Sequence, residues 1–248
     1  MIRILLPFIL SFVLLLPAVQ AEESAEMVKI PRLFGTFTPK IGDWSQYTVF
    51  EKDTGRHSTM KMAIVGKEKE RFWYEVVNEE QGVRNIVKML ITGDPNDSEN
   101  IQRLILKSGN NPAQEMPREF VMMGRRMASH MFERRSGVPA SPSVDLKLEK
   151  IGHGSVTVPA GTFEVTQNRI IDTSGKAYGT YNFSSKVFPF GVVSSESVNT
   201  TLELIAYGSD AKSMINEEPI VMNRPPGMPE GMPRGYPPGM LRRGRPPK

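Results

Sequence analysis

The stretch TMKMAIV, residues 59–65, decides the fold class because its large apolar side chains alternate with other residues. Met60, Met62 and Ile64 fall on one side of an extended chain, and Lys61 and Ala63 fall on the other. This period of two is typical of a strand with one face in the core and one face toward solvent. The stretch therefore predicts a strand of an antiparallel sheet.

Other short stretches share this richness in β-branched and aromatic residues, and turn formers such as Asp53-Thr54-Gly55 separate them. The predicted strands are 46–51, 59–65, 71–79, 84–92, 101–107, 144–151, 163–171, 177–183, 191–195 and 200–207. We expect a mainly β (α+β) domain, built as a curved antiparallel sheet or half-barrel of about ten strands with one packed helix.

That helix is predicted at EFVMMGRRMASHMFERR, residues 119–135, between Pro117 and Gly137. Spacings of three and four residues place its apolar side chains in one stripe, made of Phe120, Met123, Met127 and Met131. We predict that this methionine stripe binds an apolar ligand, since methionine adapts to irregular surfaces. Two alternatives remain: the stripe fills the core beneath the helix, or the helix lies on a membrane surface with its arginines on anionic lipid.

The composition changes at Arg224, and a four-residue period of Pro-x-Gly-(Met or Tyr) runs from Pro225 to Met240. Proline removes amide donors and glycine removes backbone restraint, so residues 224–248 are predicted to be a disordered tail. The tail has six basic residues and one acidic residue, whereas the whole chain has a net charge of only +4. The rest of the chain is therefore close to neutral, which argues against nucleic-acid binding.

The tail suggests partners of its own. Arg242, Arg243 and Arg245 are predicted to bind an acidic protein or an anionic envelope polymer. The tail methionines could instead hold cuprous ion, a weak signal without a histidine or cysteine, or the tail could simply be solvated.

The first 21 residues are predicted to be a cleaved signal peptide, because Arg3 precedes an apolar run and small residues precede the expected cut after Ala21. The chain has no cysteine, so neither a lipid-modified N-terminus nor a disulfide is expected. We predict a periplasmic protein without a membrane span after cleavage. Its predicted parts are a lead-in (22–40), a β-rich domain (41–210), a linker (211–223) and the tail (224–248).

The sequence contains no pattern that predicts catalysis. His57, His130 and His153 lie in different predicted elements, without the spacing of a metal site, and phosphate-binding and dinucleotide glycine motifs are missing. We therefore expect neither an enzyme nor a cofactor.

Three segments resemble motifs of exported β-rich proteins. They are Gly42-Asp43-Trp44 with Tyr47, the hairpin VTVPAGTF at residues 156–163, and FPFGVV at residues 188–193. The chain resembles uncharacterised periplasmic domains that are similar in fold to the LolA/LolB lipoprotein carriers. The resemblance covers residues 41–207 and implies a curved sheet around a helix, with acyl chains held between them.

From the residues alone, Pro159-Ala160-Gly161 predicts a tight turn, and Trp44 and Phe163 are expected to bury large areas. The leading functional prediction is a non-enzymatic periplasmic carrier for a lipid, a lipoprotein acyl chain or a hydrophobic segment. The alternative is a structural or assembly protein of the envelope that uses its basic tail.

Overall fold

The computed structural model describes residues 35–118, 121, 133–139 and 145–222. These residues form one open, curved sheet of twelve strands, in the order β12-β6-β5-β4-β3-β2-β1-β11-β10-β9-β8-β7. Every neighbouring pair is antiparallel except β12 with β6. The predicted fold class is thus confirmed.

The strands are β1 (Trp44–Glu51), β2 (Arg56–Glu68), β3 (Arg71–Glu80), β4 (Val83–Ile91), β5 (Ile101–Ser108), β6 (Gln114–Met116), β7 (Leu146–Val158), β8 (Gly161–Asp172), β9 (Ala177–Phe183), β10 (Val192–Ser197), β11 (Thr200–Gly208) and β12 (Ile220–Val221). A 3₁₀ turn at Ser98–Asn100 precedes β5.

All ten predicted strands are present, and the two additional strands, β6 and β12, have three and two residues. Segments this short cannot show a period of two, so sequence alone could not reveal them.

The front face of the sheet, defined by Tyr47, Met62, Ile64 and Tyr74, carries the largest core cluster. Phe190 lies opposite these strands, with ring centroids 5.1 Å from Phe37 and 5.8 Å from Tyr74. Phe190 is 1% exposed. The interior in front of β1–β3 is therefore filled by side chains, and the FPFGVV motif supplies several of them.

The VTVPAGTF motif forms the β7–β8 hairpin, whose turn is Pro159-Ala160. The Ala160 N–H donates to the Leu204 carbonyl of β11 at 3.1 Å, so the tip of the hairpin folds onto the middle of the sheet. Phe163 is buried there, as expected. Gly161 has a φ of +130°, a conformation that L-residues with a Cβ avoid.

We expect Gly161→Ala to lower the free energy of unfolding by about 1–3 kcal/mol, because alanine is strained at this φ. Gly154→Ala is the matched control, since Gly154 lies in the same hairpin and an added Cβ would meet only Gln167 at ordinary distance. Urea unfolding of both variants checks this, and an equal loss of stability in both would contradict it.

The back face carries a segment that we call the C-terminal strap, residues 209–222. The strap begins at the Gly-Asp-Trp motif, where the Ala211 N–H donates to the Gly42 carbonyl at 2.9 Å and Trp44 Nε1 donates to Asp210 at 2.7 Å. A Cβ on Gly42 would lie 2.3 Å from the Ser209 carbonyl oxygen, so only glycine fits. Trp44 is only half-buried, contrary to expectation, and one face of its ring contacts the Lys61 ammonium, 4.2 Å from the ring centroid.

Farther along, the strap is held by a buried carboxylate. Glu75 of β3 is 1% exposed and accepts hydrogen bonds from Ser213 Oγ at 2.7 Å and the Met214 N–H at 3.0 Å. Lys88 of β4 donates to the same Ser213 Oγ at 2.8 Å. Burial lowers the pKa of Lys88, and the Glu75 charge opposes that shift.

The strap continues over the edge of the sheet, where Ile215 packs among Val77, Ile86, Ile105 and Ala113. It ends in β12, which pairs with β6. The stretch 211–223, predicted as a linker, is thus packed on the sheet as far as Met222.

The predicted helix lies mostly outside the described residues, but Arg118, Val121 and residues 133–136 are helical. Arg135 bonds the buried Glu51 at 3.0 Å and Glu80 at 3.3 Å, and Arg56 contacts the same two carboxylates. Burial alone would raise the pKa of Glu51, but hydrogen bonds from Arg56 and Thr54 and the charge of Arg135 lower it. This ionic cluster fixes residues 133–136 to the end of the sheet where β1–β2 and β3–β4 turn.

Candidate binding groove on the front face

A groove lies on the front face where β4, β5 and β6 meet. The strand pairing aligns side chains of one face in rows: Asn85 with Ser108, Val87 with Leu106 and Gln114, and Met89 with Leu104 and Met116. Because side chains alternate along a strand, Ile86, Lys88 and Ile105 point to the back face instead.

The groove has a volume of about 460 Å³ and is open to solvent on one side. Its lining residues are Asn85, Ile86, Val87, Leu106, Lys107, Ser108, Asn111, Pro112 and Gln114. The β5–β6 turn closes one end and is held by a 2.7 Å hydrogen bond from the Gly109 N–H to the Arg84 carbonyl. This volume lies within the range of small-ligand sites.

The floor of the groove is apolar and continues into the row of Met89, Leu104 and Met116. Val87, Leu104, Leu106 and Met116 are half-buried, and none of them belongs to a packed core cluster of described residues. Met89 and Val76, in contrast, pack against the large front core. The groove is therefore an apolar extension of the core that solvent reaches.

The groove's rim is polar but carries little uncompensated charge. Ser108 and Asn85 share a 2.6 Å hydrogen bond, and Asn111 and Gln114 add two amide groups. Lys107 is the only charged residue among those that line the groove, and its side chain lies on the back face, where the ammonium contacts the Glu217 carboxylate of the strap. The ion pair of Arg103 with Glu115 also lies on the back face; it is bidentate, with both contacts at 2.7 Å, and the hydrogen bond from Arg103 lowers the pKa of Glu115.

The Lys107–Glu217 pair predicts a pH dependence. The hydrogen bond from Lys107 lowers the pKa of Glu217 from 4.5 to about 2, so this pair stabilises the folded chain above pH 4.5. That contribution is lost as the pH falls through the window from 4.5 to about 2, because the carboxylate then becomes protonated in the folded chain as well. We expect the Tm advantage of the native chain over Glu217→Gln to be present at neutral pH and to disappear across this window. A difference that persists at the acid end would contradict the assignment.

The structure does not test the site residues predicted from sequence. Phe120, Met123, Met127 and Met131 lie outside the described residues, as do Arg242, Arg243 and Arg245. Two residues of the same region, both helical, are described and buried: Val121 is 7% exposed and Ser136 is 4% exposed.

No catalytic or metal constellation is found among the described residues. No group of three or more metal-ligating side chains occurs within those ranges. His57 stacks on Phe50, His153 lies 3.3 Å from Thr166, and both histidines are exposed. Ser213 already bonds Glu75 and Lys88 in the strap. None of the described helices is both long and apolar enough to cross a bilayer.

The groove was not predicted from the sequence, although one signal for it exists in β4. Residues 86–91 of β4 (IVKMLI) carry apolar side chains on both faces, which indicates that neither face is simply solvated. The strap covers the back face, and the groove lies on the front.

The fold and the groove together define a β-rich protein with an open, curved sheet and a solvent-reachable apolar site. No protein family and no curated protein matches the chain. Among solved structures, the chain is similar to MucB, with 11% identity over 75% of this chain and 57% of MucB at a TM-score of 0.38. The chain thus spans little more than half of MucB.

Two further solved structures are also similar to the chain. A Bacteroides fragilis protein described as exported, with a YmcC-like fold, shares 11% identity over 71% of this chain and 99% of its own, at a TM-score of 0.31. MucB in complex with MucA(peri) shares 10% identity over 77% of this chain and 60% of its own, also at 0.31. The resemblance to LolA/LolB carriers stays a prediction.

Proposed function

We propose that the protein is a non-enzymatic binding module that holds a hydrophobic polypeptide segment in the groove between β4, β5 and β6. The observation that carries this proposal is the half-buried apolar floor of Val87 and Leu106 beneath a polar rim. Apolar pockets with a few convergent polar groups are the usual form of a ligand site.

A polypeptide segment fits this groove better than an acyl chain. The rim offers amides at Asn85, Asn111 and Gln114, which can donate to and accept from a peptide backbone. An acyl chain forms no hydrogen bonds with such groups. The enclosed interior in front of the sheet, which could have held an acyl chain, is filled by Phe190, Tyr47 and Tyr74. The methionine stripe remains a proposed second contact surface.

Export to the periplasm is part of the same proposal and rests on the predicted signal peptide. Edman sequencing of the protein recovered from its own cell envelope tests the export step. A mature chain that starts near Glu22 is expected, and an uncleaved chain in the cytoplasm would contradict export.

The binding test uses a short dansylated peptide with leucine at alternate positions. Leu106→Asn should weaken binding about tenfold, because a buried leucine contributes roughly 1.5–3 kcal/mol and 1.4 kcal/mol corresponds to a factor of ten. Ile151→Asn is the control: the same replacement at an exposed apolar residue of β7, outside the groove. Dansyl fluorescence titration measures both.

An equal effect of the two variants would contradict the groove as the site. A dansylated fatty acid provides the alternative outcome. Tighter binding of that acyl probe than of the peptide, with the same loss in Leu106→Asn, would contradict the peptide assignment and support a lipid carrier.

A further inference from the structure

The described chain ends beside the groove. The Met222 N–H donates to the Glu115 carbonyl of β6 at 3.0 Å, and β12 pairs residue by residue with Gln114 and Glu115. Gln114 is also a lining residue of the groove. The tail therefore begins at the strand that forms one wall of the proposed site.

The tail is long enough to reach any part of the groove. Residues 223–248 follow Met222, and a flexible chain of that length has a root-mean-square reach of about 28 Å. Val87 and Leu106 lie on strands about 10 Å or less from β6, since neighbouring strands are about 5 Å apart. A tethered segment at this distance has an effective concentration in the millimolar range, so even weak affinity would fill the site.

The tail and the groove are chemically complementary. Proline at every fourth position leaves the tail short of N–H donors but rich in carbonyl acceptors. The rim supplies amide donors from Asn111 and Gln114. The tail also presents methionine or tyrosine once in each four-residue repeat, which suits the apolar floor.

We propose that the Pro-x-Gly-(Met or Tyr) repeat, residues 225–240, is the resident occupant of the groove and competes with the external segment. This inference rests on the proposed function of the groove. The tail then limits binding to segments that outcompete a tethered, low-affinity ligand, and the arginines beyond Met240 stay outside, free to meet an anionic partner.

Disulfide trapping tests the proposal in the full chain, which has no native cysteine to interfere. One variant carries Leu106→Cys with Met232→Cys, and the control carries Glu79→Cys with Met232→Cys. Both positions lie within reach of the tail, but Leu106 lines the groove, whereas Glu79 is partly exposed on the back face of β3. We expect the first pair to close at least ten times faster in a glutathione buffer. Equal rates, or faster closure in the control, would overturn the proposal.

A second measurement separates this inference from the proposed function. A chain that stops after Asn223, with its folding checked by circular dichroism, should bind the dansylated leucine peptide several times more tightly than the full chain. Unchanged affinity would overturn the resident-tail inference while leaving the groove as the site. No peptide binding in either chain, together with fast trapping at Leu106, would refute the proposed external ligand but support the tail as occupant.

Discussion

Replacing Phe190 by alanine should lower the free energy of unfolding by about 4 kcal/mol, because a fully buried aromatic side chain is lost and leaves a cavity. The Phe190 ring packs against both Phe37 and Tyr74 and is 1% exposed. These residues come from three distant parts of the sequence, so relaxation of one segment cannot refill the space. Denaturant unfolding of the full chain measures the effect.

The control for Phe190 is Phe50→Ala. Phe50 is half-exposed and stacks on His57 at 4.6 Å, at the surface. Its removal should cost about 1 kcal/mol, the size of an aromatic pair interaction. If the two variants lose the same stability, the interior in front of β1–β3 is not the packed core described here.

Glu75→Ala should lower the free energy of unfolding by about 3 kcal/mol and loosen the strap. The substitution removes the acceptor of Ser213 and Met214 and the negative charge that opposes the burial of the Lys88 ammonium. A buried donor that loses its acceptor costs about 1–3 kcal/mol, and more when a charged group is involved. Urea unfolding gives the stability, and trypsin cleavage after the exposed Lys212 reports the loosened strap.

Glu79→Ala is a closely matched control, since Glu79 is the same residue type on the same strand and face. Its carboxylate pairs with Arg84 at the surface, with 42% of the side chain exposed. Such surface pairs contribute at most about 1 kcal/mol. Faster cleavage after Lys212 in Glu79→Ala than in Glu75→Ala would show that Glu75 does not hold the strap.

The sequence predicted those parts of the fold that depend on local pattern. The alternation at residues 59–65 and the turn at Pro159-Ala160-Gly161 specify their own conformations, and β2 and the β7–β8 hairpin appear where they were expected. The short strands β6 and β12 have no periodicity, and they pair only because the strap passes across the back face to reach the sheet edge.

The candidate site is formed by contacts between residues that are far apart in the sequence, so it could not be predicted from local pattern. Ser213 meets Glu75 across 138 residues of chain, so the covering of the back face was not predictable. Both faces of β4 carry apolar residues, and the sequence alone does not show that the strap covers Ile86 while Val87 lies in the groove. Sequence analysis favoured the methionine stripe because helical periodicity is visible locally, whereas the groove is assembled from three strands and a turn.

The central claim is that the front-face groove binds a hydrophobic polypeptide segment, and photolabelling tests it most directly. The full chain is irradiated with a leucine-rich peptide that carries a diazirine side chain, and the labelled sites are mapped by tryptic mass spectrometry. Labels concentrated on β4 and β5, at Val87 and Leu106, and reduced in Leu106→Asn, are the predicted result. Labels on β7–β9, or labelling of the groove that Leu106→Asn leaves unchanged, would contradict it.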